Sequence, residues 1–175
     1  MLQEVLLMSE RQIVTFSIGN ANYGIDVQQV REVVTYRKCT RIPKMPSFIE
    51  GLMNLRGQVV LVVNLKGFLD IPENERREEG SGKIIIIDAP DLHIGFLVGE
   101  VYSVTRISNN DVEAPPTSSQ RIITGIFKKG EDLIMIMDAL KAIEALRENI
   151  GGTPVLTPQT EEVHVLKAVE GRKDM

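Results

Sequence analysis

The chain has 175 residues, 43% of them hydrophobic and 25% charged, with a formal net charge of −4. That balance excludes a disordered polypeptide and argues against nucleic-acid binding through an overall basic surface. One cysteine and two histidines exclude an internal disulfide and the common structural zinc sites.

The N-terminal run Met1-Leu2-Gln3-Glu4-Val5-Leu6-Leu7-Met8 lacks the basic start of a secretory signal. No stretch reaches the ~20 apolar residues of a membrane helix, so a soluble chain is expected. Val14, Phe16 and Ile18 then alternate with Thr15 and Ser17, and Tyr23, Ile25 and Val27 alternate with Gly24 and Asp26. Period-two alternation predicts strands with one buried face, and Gly19-Asn20-Ala21-Asn22 between them predicts a hairpin turn. Asp26 followed by Gln29 has the form of a capping box and predicts one or two helical turns through Val30 and Val33; Ser47 with Glu50 repeats the pattern after Pro46. The runs Val59 to Val63, Ile84 to Ile87 and Leu133 to Met137 predict strands buried on both faces. The polar segment Ile71 to Gly82, with Glu73-Asn74-Glu75-Arg76-Arg77-Glu78-Glu79, reads as a solvated loop. One longer helix is predicted from the N-cap Asp138, with Leu140, Ile143 and Leu146 as its apolar stripe and Gly151-Gly152 as its stop. The tail after Gly152 is either an extension or a further strand through Val163 to Val169.

An internal repeat organises these elements. Gln12 to Ser17 aligns with Lys83 to Asp88, Tyr23-Gly24-Ile25 with Ile94-Gly95-Phe96, and Val27, Val30 and Val33 with Val98, Val101 and Val104, all at an offset of 71. After a small slip, Gly51 meets Gly125 and Asn64 meets Asp138 at an offset of 74. Two copies of one strand-rich unit are expected, each too small for a thick core of its own, so sheet closure and mutual docking must add buried surface.

No constellation of residues reads as catalytic, cofactor-binding or metal-binding. Gly80-Ser81-Gly82-Lys83 has a charged loop before it and a strand after it, the reverse of a phosphate-binding loop. His93, Asp88 and Asp91 lie in a turn, and Cys39 has no histidine near it in sequence. Arg56, between Leu55 and Gly57, is either an exposed hairpin residue or a planar bidentate group paired with an acid such as Glu32. Val30, Val33 and Val34 are either core or the lining of a cleft that receives a partner helix.

Three stretches together resemble the CheW-type chemotaxis coupling proteins: Tyr23-Gly24-Ile25-Asp26-Val27 with Val30-Arg31-Glu32-Val33, the proline-bracketed Ile42 to Gly51, and Asn54-Leu55-Arg56-Gly57-Gln58 running on to Leu65. Leu61 and Asn64 depart from the family's usual proline and aspartate. The resemblance covers about residues 10 to 149. It implies a mostly β fold of two similar five-stranded, SH3-like barrels with short helices and a C-terminal helix. It also implies a non-enzymatic cytoplasmic adaptor without cofactors, recruited to membrane receptor arrays. Its partners would be the regulatory domain of a chemotaxis histidine kinase and the cytoplasmic tips of methyl-accepting chemoreceptors. The receptor groove would fall near Val30, Glu32 and Arg56, with no nucleic-acid and no direct membrane contact. The domain is expected over 1–152, with halves near 11–71 and 83–143 that can swap or share strands, and 153–175 as an extension. The competing reading, a small-barrel module for nucleic acid or oligosaccharide, stacks its ligands on aromatic platforms, and only 5% of residues here are aromatic.

Overall fold

The N-terminal hairpin forms as its alternation dictates: β1 (Glu10–Ile18) turns at Gly19-Asn20 into β2 (Ala21–Asp26). These are the first elements of a computed structural model that describes Leu2 and residues 9–72, 80–116 and 121–150. The charged run 73–79 and the tail 151–175 lie outside the described residues.

Next come β3 (Val30–Thr35), β4 (Ile49–Leu55), β5 (Gln58–Asn64), the short helix α1 (Leu65–Phe68), β6 (Lys83–Ile87) and β7 (Ile94–Val98). They are followed by β8 (Val101–Ser108), β9 (Val112–Glu113), β10 (Ile123–Lys129), β11 (Asp132–Met137) and helix α2 (Ala139–Asn149). The strands make one six-stranded sheet, β8-β1-β2-β11-β10-β9, and one five-stranded sheet, β3-β6-β7-β5-β4.

The architecture is mostly β and consists of these two sheets. Neither sheet closes on itself through its strand ladder, and each draws on both halves of the chain. The hairpin β1-β2 pairs with β8 and β11 of the second half, while β6-β7 pairs with β3 and β5 of the first. The repeat reappears in the registers. Val14 lies opposite Val104 and its counterpart Ile85 lies opposite Val33. The parallel pair Ile136 with Gly24 matches Val62 with Gly95. Even the irregularities agree, at Thr15/Phe16 and Val30/Glu32, and at Ile49/Gly51 and Ile123/Gly125.

Three apolar clusters follow from this arrangement. One joins both sheets and α2, bringing Phe16, Tyr23 and Ile25 together with Leu61, Ile85, Phe96, Ile143 and Leu146. A second belongs to the five-stranded sheet alone, around Met53, Val60, Val62, Ile84, Ile86 and Leu97. The third, in the six-stranded sheet, is smaller, with Ile13, Ile107, Ile134 and Ile136. The shared cluster supplies the burial that neither thin sheet could provide alone.

Both expected capping boxes resolve differently. Asp26 accepts a hydrogen bond from Gln28 N and opens only a single 3-10 turn, Val27–Gln29; Val30 onward is strand, because its β-branched residues pair with β6. Ser47 and Glu50 flank the start of β4, not a helix. Asp138 does cap α2, accepting from Leu140 N and Lys141 N, but the buried stripe is Ala139, Ala142, Ile143 and Leu146, and Leu140 is exposed. Among the runs expected to be buried on both faces, Val59 and Leu133 are exposed at strand ends.

The Gln29 carboxamide ties the halves at this cap. Its Nε2 donates to Asp138 Oδ1 at 3.0 Å, and its Oε1 accepts from Ala139 N at 2.9 Å. Gln29→Ala should lower unfolding free energy by about 1 kcal/mol, the scale of a lost cap. Urea titration monitored at the helix circular-dichroism band checks this; an unchanged midpoint would mean that Asp138 caps the helix unaided.

Candidate functional site

The turn from β4 to β5 is a two-residue hairpin in which Arg56 has φ +49° and Gly57 φ +83°. Positive φ at both central positions is the type I′ requirement, costing a non-glycine residue roughly 1 kcal/mol. The equivalent turn in the other half has Gly130 at φ +63° where Arg56 stands. An arginine held in a conformation that glycine takes freely suggests that its side chain matters there.

Arg56 Nη2 donates to Glu32 Oε2 at 2.5 Å. Glu32 lies on β3, an edge of the five-stranded sheet, and Arg56 follows β4, the opposite edge. The ion pair therefore bridges the two edges that the strand ladder leaves unjoined. The contact is single rather than bidentate, and Glu32 Oε1 is buried without a hydrogen-bond donor among the described residues. Ser103 and Gly130 occupy the corresponding places in the six-stranded sheet, so among the described residues the bridge stands in one half alone.

Val30 sits differently. The irregularity between Val30 and Glu32 sets Val30 opposite Ile87 and Glu32 opposite Ile86. Ile87 belongs to the shared core and Ile86 to the five-stranded sheet's own cluster. Val30 thus faces the junction of the two sheets, while Glu32 and Arg56 meet on the other face of β3. Arg31 between them projects outward and pairs with Asp88 at 3.0 Å. Val33, on the junction face opposite Ile85, is 39% exposed and extends the apolar surface of the edge strand to solvent. Its counterpart Val104 is 56% exposed. The sequence offers Val33 as core or as the lining of a cleft and does not reveal that the edge leaves it uncovered.

The Arg56–Glu32 pair can be separated from turn strain. The arginine side chain is 70% exposed and the glutamate 27%, so the pair is partly screened by solvent. Arg56→Ala removes the pair and retains the strained φ, for an expected loss of about 1 kcal/mol. Arg56→Gly removes both, and the loss should shrink by about 1 kcal/mol. Equal losses by thermal denaturation would show that the backbone at this turn carries no penalty.

The other residues considered from sequence have ordinary surroundings. His93 precedes β7 and its carbonyl accepts from Leu61 N; Cys39 is buried; Lys83 Nζ donates to Thr35 Oγ1. Among the described residues no group of three or more His, Cys, Asp or Glu could hold a metal ion. A cleft of about 520 Å³ near the start of β1 is lined by Glu10, Arg11, Gln12, Asp26, Val27, Gln28 and Arg106; it has carboxylates and cations but no Ser, Cys, Thr or Lys to serve as a nucleophile. No helix among the described residues is long and apolar enough to cross a membrane.

The family model described as the CheW-like domain matches residues 12–147. A chemotaxis protein CheW from Bacillus subtilis is 33% identical over 132 residues, covering 73% of this chain and 83% of that protein. Another from Thermotoga maritima is 31% identical over 141 residues, covering 79% and 91%. A third, from Treponema pallidum, is 30% identical over 136 residues, covering 74% and 80%. The crystal structure of the scaffolding protein TtCheW from Thermoanaerobacter tengcongensis superposes with a TM-score of 0.71 at 32% identity, covering 85% of this chain and 99% of that one.

Proposed function

The chain belongs to the CheW-like domain family, and from that premise we propose that it is a non-enzymatic adaptor coupling chemoreceptor cytoplasmic tips to a chemotaxis histidine kinase. The observation that carries this reading is the family match across residues 12–147, which takes in nearly all the described strands and α2. An adaptor of this kind makes no covalent change. It holds two partners at once and so raises the effective concentration of each for the other. The nucleic-acid or oligosaccharide alternative finds no support among the relatives, which carry chemotaxis or scaffolding names.

In this reading the CheW-like unit spans 1–152 and the remaining residues form an extension. The protein acts in the cytoplasm and is recruited to membrane arrays by its receptor partner. The receptor tip lies along the exposed edge of β3, touching Val30 and Val33 on one face and the Arg56–Glu32 bridge on the other. An edge strand makes both faces available to one partner helix. The kinase's regulatory domain is the second partner.

Pull-down of the intact chain with a receptor signalling-tip fragment and with the kinase regulatory domain tests the reading; both should be retained. Receptor binding, kinase activation and thermal stability should then be measured for Arg56→Lys and Arg56→Ala. A partner-contacting arginine should cost more than about 1 kcal/mol of receptor binding when truncated. Wild-type values in all three measurements for both variants would remove Arg56 from the site. Loss of stability alone would make the bridge structural and leave the contact to Val30 and Val33.

A further inference from the structure

Between Glu32 and Glu50 the sequence contains four cations, Arg37, Lys38, Arg41 and Lys44, and no acid. The whole chain carries −4, so the remainder without these four carries −8. All four are exposed, and none makes a side-chain hydrogen bond or ion pair with any described residue. Other surface cations do have acidic partners: Arg31 with Asp88, Arg56 with Glu32, Arg106 with Glu10 and Lys128 with Glu113.

The segment that displays them is anchored. Thr40 and Leu52 exchange both backbone hydrogen bonds at 2.8 Å, Cys39 is buried in the cluster of the five-stranded sheet, and Ile42 and Met45 pack against the shared core. The four charges therefore stand on a fixed arm, and little ordering entropy remains to be lost on binding. The fold itself does not call for cations here. In the other half the corresponding arm is β9, paired with β10; it carries Glu113 and follows directly on Asp111.

We propose that the arm from Arg37 to Lys44 is a docking surface for a short acidic polypeptide segment of a partner, an assignment that does not depend on the receptor contact placed at β3. The range of the attraction favours a short segment: exposed charges are screened beyond about 8 Å at physiological salt, and a long polyanion would run off the arm onto the acidic remainder. A bilayer fits less well. None of the exposed large apolar residues lies on the arm, so nothing there would insert among lipids.

The full-length chain should be titrated into a fluorescein-labelled peptide bearing a run of glutamates, read by anisotropy. Binding should weaken about tenfold between low salt and roughly 0.3 M salt. It should weaken about as much when Arg37→Gln, Lys38→Gln, Arg41→Gln and Lys44→Gln are combined. The combination Arg106→Gln with Lys128→Gln should bind as the wild type does. Should the fourfold variant fail to fold by circular dichroism, Arg37→Gln and Lys44→Gln made singly must each weaken binding about twofold. The proposal is overturned if the neutralised variants bind like the wild type. It is equally overturned if the wild type ignores the peptide but binds phosphatidylserine vesicles or RNA.

Discussion

Gly51→Ala should destabilise the protein by about 3–5 kcal/mol, enough to leave a small domain largely unfolded. Gly51 has φ +136°, and a Cβ built on it lies 2.2 Å from the Thr40 carbonyl oxygen and 2.7 Å from its carbon. Both obstacles are backbone. The backbone cannot swing aside, because Thr40 and Leu52 are locked by their mutual hydrogen bonds. The same position in the other half offers an internal control. A Cβ on Gly125 meets Val112 Cγ1 at 2.4 Å, a side-chain methyl that can yield, and the Glu113 carbonyl only at 3.4 Å. Gly125→Ala should therefore cost about half as much. Urea unfolding of the two variants side by side is decisive, since equal losses would mean that the Thr40 contact is not what makes Gly51 necessary.

Gly95→Ala should lose about 2–3 kcal/mol through overpacking of the five-stranded sheet's own cluster. The added methyl would stand 2.5 Å from Ile84 Cγ2 and 3.1 Å from Ile86 Cδ1. Its counterpart Gly24 would place a methyl 2.7 Å from Ile13 Cδ1. The distinction lies in which atom is struck. Ile13→Val deletes Cδ1, so the pair Gly24→Ala with Ile13→Val should be more stable than the two separate losses imply. Ile84→Val keeps Cγ2, so it should not rescue Gly95→Ala. Double-mutant cycles by chemical denaturation read this directly, with a coupling of about 1 kcal/mol expected in the first pair and none in the second. Coupling in both pairs would put the clash at Gly95 on an atom other than Ile84 Cγ2.

Local signals carry a good part of this fold. Alternation around Gly19-Asn20 marks the first hairpin, and Asp138 marks the start of α2, because strand period and side-chain capping are short-range properties. The pairing of Arg56 with Glu32 can also be named from sequence, since a lone arginine at a turn seeks an acid. Other features depend on distant parts of the chain. Asp26 with Gln29 has a helix-start pattern, yet Asp26 makes a turn and Gln29 reaches across to Asp138; the competing ladder with β6 then decides that Val30 is strand. The face that Val30 presents depends on a one-residue irregularity, which leaves no mark on composition. The repeat establishes that two units exist, but equivalent hairpins can serve either sheet. The shared cluster around Phe16, Phe96 and Ile143 forms only once each hairpin has entered the sheet of the other half.

A single repeat cut from this chain would have its hairpin and its remaining strands in different sheets, so alone it could complete neither. Two identical copies could complete both by exchanging hairpins, as protomers do in a domain-swapped dimer. The 175-residue chain is thus organised as such a dimer with its protomers fused through the stretch between α1 and β6. Fusion makes the exchange independent of protein concentration and lets the two copies diverge, as they have where Arg56 faces Glu32 in one half and Gly130 and Ser103 stand in the other. Two identical copies would present identical edges on both sheets; among the described residues this chain has the Arg56–Glu32 bridge across one sheet and Ser103 and Gly130 at the matching places of the other, so the two sheets offer unlike surfaces.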